Sequence, residues 1–321
     1  MSENTNTMAG LLALNDRNLS PAEASDVLNL APVIRALFAQ PASQGGTTHK
    51  FLRELTAPGV GFRLVNEGIT NATGTFEAVT LTCALLDGSF SRDKAVAMAY
   101  AKGATAYMDR EGTKSLRQAF YKIEQAVFGA TINKQFTGLP GSTFFDQITA
   151  DAQVVNAGGA GGKSVWFLRS AEEAISMICG NDGRMDMATE DSTVVLRDSS
   201  DREYTGLHRS ILGWFDIQVG SKYDGARIVN LDGTTGHTLT DTHLQTAMLL
   251  APTGRPFNMI AMNRVALLEL WASRTATNPT GKEAEMPVAF AGIPIIVTDA
   301  IPSDEATLNT TTTTTTTSTQ A

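Results

Sequence analysis

Three runs with the apolar patterning of β-strands follow one another in the second half of the chain, around 203–209, 211–219 and 226–231. Glycines separate these runs at positions where a turn needs a small residue or a positive φ. Trp214 adds large apolar area to the middle run. The segment therefore predicts three consecutive strands.

A further strand pattern covers 77–85, where the odd positions are bulky and apolar and the even positions are small or polar. A shorter alternation begins at Phe62, and the polar run 67–75 separates the two. Together they predict a long two-stranded ribbon within 60–91. Because a lone hairpin is marginally stable in water, we expect its apolar face to rest on a neighbouring copy; the alternative is an edge hairpin packed on its own domain. The predicted contact residues are Phe62, Leu64, Val79, Leu81, Cys83 and Leu85.

Helical periodicity is clearest at 113–128, where four apolar residues recur at spacings of four, three and four and form one stripe. An alanine-rich helix is predicted before it, at about 93–108. Near the start of the chain, a capping box at Ser20 opens an amphipathic stretch, which Pro32 breaks or restarts. The polar run 41–50 then predicts a linker, so the first fifty residues form an arm that lies on another surface.

Helices and strands alternate in the rest of the chain. A second capping box, at Ser170, predicts a helix that ends near Gly180. The other predicted elements are a strand at 164–168, a helix at 241–250, a strand at 257–261, a helix at 263–273 and two strands on either side of Gly292. The predicted fold class is α+β.

Composition and charge limit the functional classes. The chain has 321 residues, 42% of them hydrophobic, which is typical of an ordered protein with room for about two domains. Its formal net charge of −8 argues against a broad basic groove for nucleic acid. The first residues lack the pattern of a signal peptide, and no apolar run has the length of a membrane span, so we expect a soluble protein. Eight threonines at 310–317 predict a low-complexity, flexible tail.

Candidate chemistry is sparse. Residues 157–164 resemble a phosphate-binding loop, but Lys163 and Ser164 lead into a β-type sequence instead of a helix, which favours a flexible glycine-rich loop. His237 and His243 have a spacing that fits no single helix face and favours a solvated loop. The run 181–186 lacks the spacing of a calcium loop and predicts a turn. We therefore predict no catalytic, cofactor or metal site.

The cysteines support the same conclusion. Cys83 and Cys179 lie in apolar runs, which predicts small buried hydrophobic residues and not a disulfide or metal pair.

Three segments resemble signatures of the major capsid proteins of tailed bacteriophages with the Hong Kong 97-type fold. The first is the helix at 114–128 with its exit through Phe136 to Leu139; the second is 204–231, which ends in Arg-Ile-Val-Asn-Leu. The third is 286–301, with the pattern Phe-x-Gly-Ile-Pro followed by apolar residues. Their order along the chain carries the resemblance, which extends to about residue 308.

This resemblance implies a domain organisation. It implies an N-terminal arm at 1–50, an extended β-hairpin loop at 51–91 and an axial domain at 144–275, followed by the threonine tail at 309–321. A peripheral domain with a long spine helix would combine 92–143 with 276–308.

The resemblance also implies function: self-assembly into pentamers and hexamers of an icosahedral head that encloses double-stranded DNA. Expected partners are other copies of the chain, a separate scaffolding protein, a portal, non-specifically contacted DNA and a decoration protein, with assembly in the host cytoplasm and no membrane. Because no lysine lies between Leu52 and Asp93, we predict no isopeptide cross-link from the extended loop. Alternatives are an encapsulin shell, a nucleotide-binding enzyme using 157–164, and a tail or decoration protein.

Overall fold

The computed structural model describes residues 27–309, apart from positions 45, 57, 69–72, 130–133, 150–151, 189 and 279–280. The predicted capping box at Ser20 and the threonine tail lie outside the described residues. The chain divides into two compact units: unit 1 is Met1–Gly138 with Ser170–Ser221, and unit 2 is Leu139–Arg169 with Lys222–Ala321.

These units do not coincide with the predicted segments. Residues 170–221 group with the first part of the chain and not with 222–275, although both were predicted within one axial domain. Residues 276–308, predicted to join 92–143, group with unit 2 instead.

In the part of unit 1 that the structure describes, the helices include α1 (Pro32–Ala36), α2 (Lys94–Met98) and α3 (Ala104–Phe128). Pro32 is the first residue of α1, where its missing N–H costs nothing, so the predicted restart at this proline is confirmed. The helices were predicted at 93–108 and 113–128, which places the break between them at 109–112. In the structure the break lies just before Ala104, at Gly103, which has φ 90°. Gly112 lies inside α3, and a Cβ there would make an ordinary contact with the Phe90 ring at 3.8 Å.

A buried carboxylate on α3 anchors the N-terminal segment of unit 1. Glu124 is fully buried, and its Oε2 accepts hydrogen bonds from the N–H groups of Val33 at 2.9 Å and Ile34 at 3.0 Å. These two amides belong to the first turn of α1, whose N–H groups have no partner within the helix. Unit 1 therefore fixes residues 33 and 34 of the predicted arm with a charge-assisted cap.

We expect Glu124→Ala to release this segment, because both amides would stay buried without an acceptor at a cost of about 2 kcal/mol. Amide hydrogen exchange of Val33 and Ile34 should accelerate, while exchange in the core of unit 2 should be unchanged. Gln118→Ala, on the exposed side of α3, is the control. Equal exchange rates in both variants would contradict the cap.

Among the described residues of unit 1, ten strands form three sheets. A five-stranded sheet contains β1 (Phe38–Pro41), β4 (Ala84–Asp87), β8 (Ile175–Cys179), β9 (Asp186–Met187) and β12 (Ile211–Val219), with β12 at its centre. A three-stranded sheet has the order β10 (Ser192–Arg197), β11 (Glu203–Arg209), β5 (Phe90–Asp93). The third sheet is the ribbon of β2 (Thr48–Thr56) and β3 (Thr75–Thr82).

The helix predicted from Ser170 to Gly180 is wrong, because Ile175–Cys179 is strand β8. All five of its residues are buried, and it pairs in parallel with β1 and antiparallel with β12. A strand covered on both faces reads as a continuous apolar run, which local pattern cannot distinguish from a buried helix.

As far as the structure describes it, unit 2 is a mixed sheet of six strands packed with two α-helices. Its strands, in sheet order, are β15 (Ala289–Phe290), β16 (Ile293–Val297), β14 (Met259–Met262), β7 (Lys163–Leu168), β13 (Gly225–Leu231) and β6 (Val154–Asn156). Helices α4 (Asp241–Met248) and α5 (Arg264–Ala276) contribute Leu244 and Leu270 to the core beside Phe167 and Ile260. The predicted strands at 164–168, 203–231, 257–261 and around Gly292 are confirmed, as are both helices.

Candidate subunit interface

The ribbon begins and ends earlier than predicted, because β3 ends at Thr82 and residues 84–87 form β4 of the five-stranded sheet. Strand β3 pairs with β2, from Thr48↔Thr82 at the root to Thr56↔Thr75 at the far end. The predicted first strand around Phe62 is therefore wrong, since that residue lies in the connection between the two strands. The partner strand was missed because 48–56 mixes aromatic, charged and polar residues without a clean alternation.

One face of the ribbon lies on its own unit. His49 is buried, and its Nε2 lies 2.7 Å from Oε1 of Gln218 on β12. Because Nδ1 of the same ring accepts the Ser43 N–H at 3.1 Å, Nε2 carries the proton and donates. Further out, Arg53 Nε donates to the Val219 carbonyl oxygen at 3.2 Å. These bonds fix the root of the ribbon against the end of β12.

The predicted contact residues Val79 and Leu81 share this inward face, because they stand opposite Phe51 and His49 in the register. Both are only partly exposed. On the other face, Leu52 is 70% and Phe76 is 60% exposed. The alternation along the sequence does not identify these two residues, whereas the register with β2 does.

The connection between the strands presents apolar side chains to solvent. Phe62 is fully exposed. Leu64, another predicted contact residue, is largely exposed, and so are Val60 and Val65. The backbone here is ordered by a local turn: the Leu64 N–H donates to the Glu67 carboxylate at 2.8 Å, and Asn66 has φ 67°. We name residues 60–67 the tip.

The two remaining predicted contact residues follow the root. Cys83 is 5% exposed and packs with Ala42 and Ile178, so its side chain is used within its own unit. Burial, with a smaller contribution from the nearby Asp216, raises the pKa of its thiol to about 11. Leu85 on β4 is 54% exposed. Both cysteines are free and buried, which confirms the prediction of small hydrophobic residues.

The glycine-rich loop at 157–164 holds another part of the chain. Gly162 exchanges two backbone hydrogen bonds with Glu305, at 2.9 and 2.8 Å, and a Cβ at Gly161 would lie 2.4 Å from the Glu305 carbonyl oxygen. Lys163 begins strand β7, and its Nζ forms a 2.6 Å ion pair with Glu269. The lysine side chain is thus paired with a carboxylate, and the loop binds the segment 305–308.

The motif Arg-Ile-Val-Asn-Leu at 227–231 binds the same segment, 305–308. Arg227 donates to the Glu305 carboxylate at 2.8 Å, and Asn230 exchanges two hydrogen bonds with the backbone of Leu308, both at 2.9 Å. Asn230 has φ 61° and lies where the pairing of β13 with β7 shifts register. Asparagine tolerates this left-handed conformation, which explains its place in the motif.

The other candidate groups form local turns. His237 lies 3.5 Å from Asp232, whose pKa is held far below its usual range, first by the Thr234 hydroxyl. Asn181 and Asp182 both have a positive φ, so the turn predicted after Gly180 is confirmed. Within the described ranges, no group of three or more potential metal ligands comes together. In the same part of the chain, no helix combines the length and apolarity required to cross a bilayer.

The described chain thus combines two α+β units, an anchored ribbon with an exposed apolar tip and a bound C-terminal segment. The chain is similar in fold to a chain of bacteriophage Epsilon15, with a TM-score of 0.54 at 18% identity over 84% of this chain and 87% of that one. The family model "Major capsid protein GP7" matches residues 22–309, so the chain belongs to this family of phage major capsid proteins.

Two other solved structures are similar to the chain at lower scores. The bacteriophage JBD30 capsid has a TM-score of 0.45 at 8% identity, over 82% of this chain and 88% of that one. The SrpI encapsulin complex from Synechococcus elongatus PCC 7942 has a TM-score of 0.39 at 7% identity, over 63% and 88%. No curated protein matches the chain. The family match favours the phage capsid over the encapsulin alternative.

The chain is therefore a major capsid protein of a tailed bacteriophage, with the predicted α+β, Hong Kong 97-like fold. As a member of this family it is a structural protein that assembles with itself into the shell of the virion.

Proposed function

We propose that the protein forms pentamers and hexamers, which close into an icosahedral head around double-stranded DNA. The tip of the ribbon supports this proposal most directly, because it carries large apolar side chains that its own unit leaves in water. Exposed apolar patches of this kind mark surfaces that a partner covers. In a shell, each such contact is repeated for every copy, so modest individual energies add to a strong container.

The formal net charge of −8 is consistent with DNA contacts that are local and non-specific. We propose a separate scaffolding protein, a portal and assembly in the host cytoplasm as further parts of this function. We also propose that unit 1, with α3 as spine helix and the ribbon as extended loop, takes the peripheral role, and that unit 2 takes the axial role.

Negative-stain microscopy of the full-length protein at high concentration, with and without the phage's scaffolding protein, tests the container. We expect closed shells of uniform size, and nuclease-protected DNA in particles from infected cells. A protein that stays monomeric under both conditions would contradict the proposal. Efficient closure of correct shells by the chain alone would contradict only the need for a scaffolding protein.

The exposed face of the ribbon gives a sharper prediction. Changing Leu52→Ser together with Phe76→Ser should lower the yield of shells at least tenfold, because each buried side chain contributes about 1.5–3 kcal/mol and 1.4 kcal/mol is a factor of ten. Folding should be unchanged, since both side chains are exposed in the single chain. The control is Val195→Ser, an equally exposed apolar residue on β10; shells from the double variant in normal yield would contradict the prediction.

A further inference from the structure

Cationic side chains are concentrated around helix α3, although the chain as a whole is acidic. Residues 92–134 contain eight lysines and arginines against four aspartates and glutamates, a formal charge of +4, whereas the whole chain has 25 against 33. The rest of the chain therefore carries a formal charge of −12. This segregation gives the surface around α3 a positive potential that the overall composition conceals, and such a potential attracts polyanions.

Three of these cations surround one carboxylate. Glu111 on α3 accepts hydrogen bonds from Lys114 Nζ at 2.8 Å and from Arg92 Nη2 at 3.0 Å, and Arg110 Nη2 lies 3.4 Å from the same carboxylate. The hydrogen bonds from Lys114 and then Arg92 lower the pKa of this carboxyl to about 2, so it is ionised at neutral pH. One negative charge among three positive charges leaves the cluster with an excess of positive charge.

The cations of this cluster are exposed, and one of them is held in a fixed position. Their side chains are 43–59% exposed, whereas that of Glu111 is 11% exposed. The Arg110 guanidinium also lies over the rings of Tyr100 and Tyr107, at 5.1 and 5.3 Å from their centroids. Such cation–π contacts restrain the guanidinium. A ligand therefore meets a charge that is already positioned, which lowers the entropic cost of binding.

The positive surface continues along α3. Arg110, Lys114 and Lys122 are exposed, and their spacings of four and eight residues place them on one face of the helix. The exposed position between the two lysines is a glutamine, so no acid interrupts the row. Asp109, an exposed acid beside it, is paired with Arg209 at 2.7 Å. At 1.5 Å per residue the row is about 18 Å long, and a DNA duplex presents about ten phosphate charges over this length.

We propose that this row, together with Arg92, is the surface that contacts the backbone of the packaged DNA. The inference rests on the proposed function and specifies which residues make its non-specific contact. Lysine and arginine bind phosphate oxygens without reading the bases, as the packaging of a whole genome requires. An extended row of charges suits a regular polyanion, whereas a protein partner would need apolar anchors at the centre of its interface.

The salt dependence of DNA binding measures this contact in the full-length protein. The probe is a fluorescent duplex of arbitrary sequence, and its affinity is measured by anisotropy. With four phosphate contacts, each adding ~0.9 to the slope, affinity should fall roughly a hundredfold between about 50 and 200 mM salt. In the variant with Arg110→Gln and Lys114→Gln two contacts remain, so the fall over the same range should be only about tenfold.

The hairpin of β10 and β11 supplies the matched control. Arg197→Gln with Arg202→Gln removes the same charge from two exposed arginines of the same unit, and it should leave the slope unchanged. Lys114→Arg keeps the charge on α3 and should also keep the slope. Equal slopes for the two double variants, or no measurable DNA binding by the unmodified chain, would overturn the proposal.

A photoreactive benzophenone side chain in place of Lys114 tests the contact inside particles. In DNA-filled heads from infected cells, we expect this position to crosslink to DNA, and the same group in place of Arg202 to give no DNA crosslink. Crosslinks from position 114 to protein alone would mean that a partner protein or another copy covers the row, which would overturn the proposal.

The particles also separate the two levels of inference. Heads that are full of DNA but give no DNA crosslink from position 114 would overturn the contact, while the container function stands. If no closed particles form under any condition, the container function fails and the DNA contact fails with it.

Discussion

Replacing Glu305 by alanine is expected to lower the free energy of unfolding of unit 2 by about 3–5 kcal/mol, because it leaves a buried charge without its partner. Arg227 is 6% exposed, and its guanidinium donates to the Glu305 carboxylate at 2.8 Å. The other oxygen of Glu305 accepts the Ser164 hydroxyl at 2.7 Å, so both oxygens are engaged. The guanidinium also lies over the Trp166 ring at 4.8 Å, which makes the fluorescence of this indole a local reporter of unfolding in urea.

The neighbouring acid provides the control. Asp304 is exposed, so Asp304→Ala removes a similar charge from the same segment without leaving a buried cation. Replacing both partners, with Arg227→Met and Glu305→Leu, should recover much of the lost stability, since an apolar pair of similar volume is often as stable as a buried ion pair. Equal urea midpoints for Glu305→Ala and Asp304→Ala would show that the pair does not stabilise unit 2.

This pair also shows what the sequence could and could not predict. The strands of the motif at 204–231 were predictable because the spacing of apolar residues and the glycines at the turns are local features of the sequence. The role of Arg227 was not, because its partner lies 78 residues away in a segment without regular structure. The run at 157–164 resembled a phosphate-binding loop, although its sequence favoured a flexible loop; in the structure the missing side chain of Gly161 admits the backbone of residues 305–307.

The interface illustrates a similar limit. Alternation along 77–85 indicated a strand with two different faces, and β3 covers it up to Thr82, but the alternation alone does not show which face packs on the rest of the chain. The register with β2 decides this, because His49 and Arg53 bring the face of Val79 and Leu81 onto the end of β12. Phe62 and Leu64 were predicted as contacts from an alternation that the structure places in an exposed turn, so their role in assembly stays a prediction.

A buried carboxyl beneath the ribbon should make the stability of unit 1 depend on pH. Asp216 on β12 is 6% exposed, and its Oδ1 accepts the N–H of Ile217 at 2.7 Å. Burial raises its pKa to about 7, against an ordinary value of 3.8. Between these values the folded chain holds a proton that the unfolded chain has released. Stability should therefore fall as pH rises from about 4 to about 7, by on the order of 4 kcal/mol in total.

Asp216→Asn should remove this slope, because the amide is close in shape to the protonated carboxyl and stays neutral at every pH. The variant should match the unmodified chain near pH 4 and exceed it in urea midpoint at pH 8, with the fluorescence of nearby Trp214 as readout. Trp214 packs against the cluster of Cys83 and Ile178, so it reports on the surroundings of the carboxyl. Glu173→Gln, an exposed acid in the same unit, should leave the slope intact. A midpoint for Asp216→Asn that still falls between pH 4 and 7, in parallel with the unmodified chain, would mean that another group titrates, because the proton held at Asp216 is the one this substitution removes.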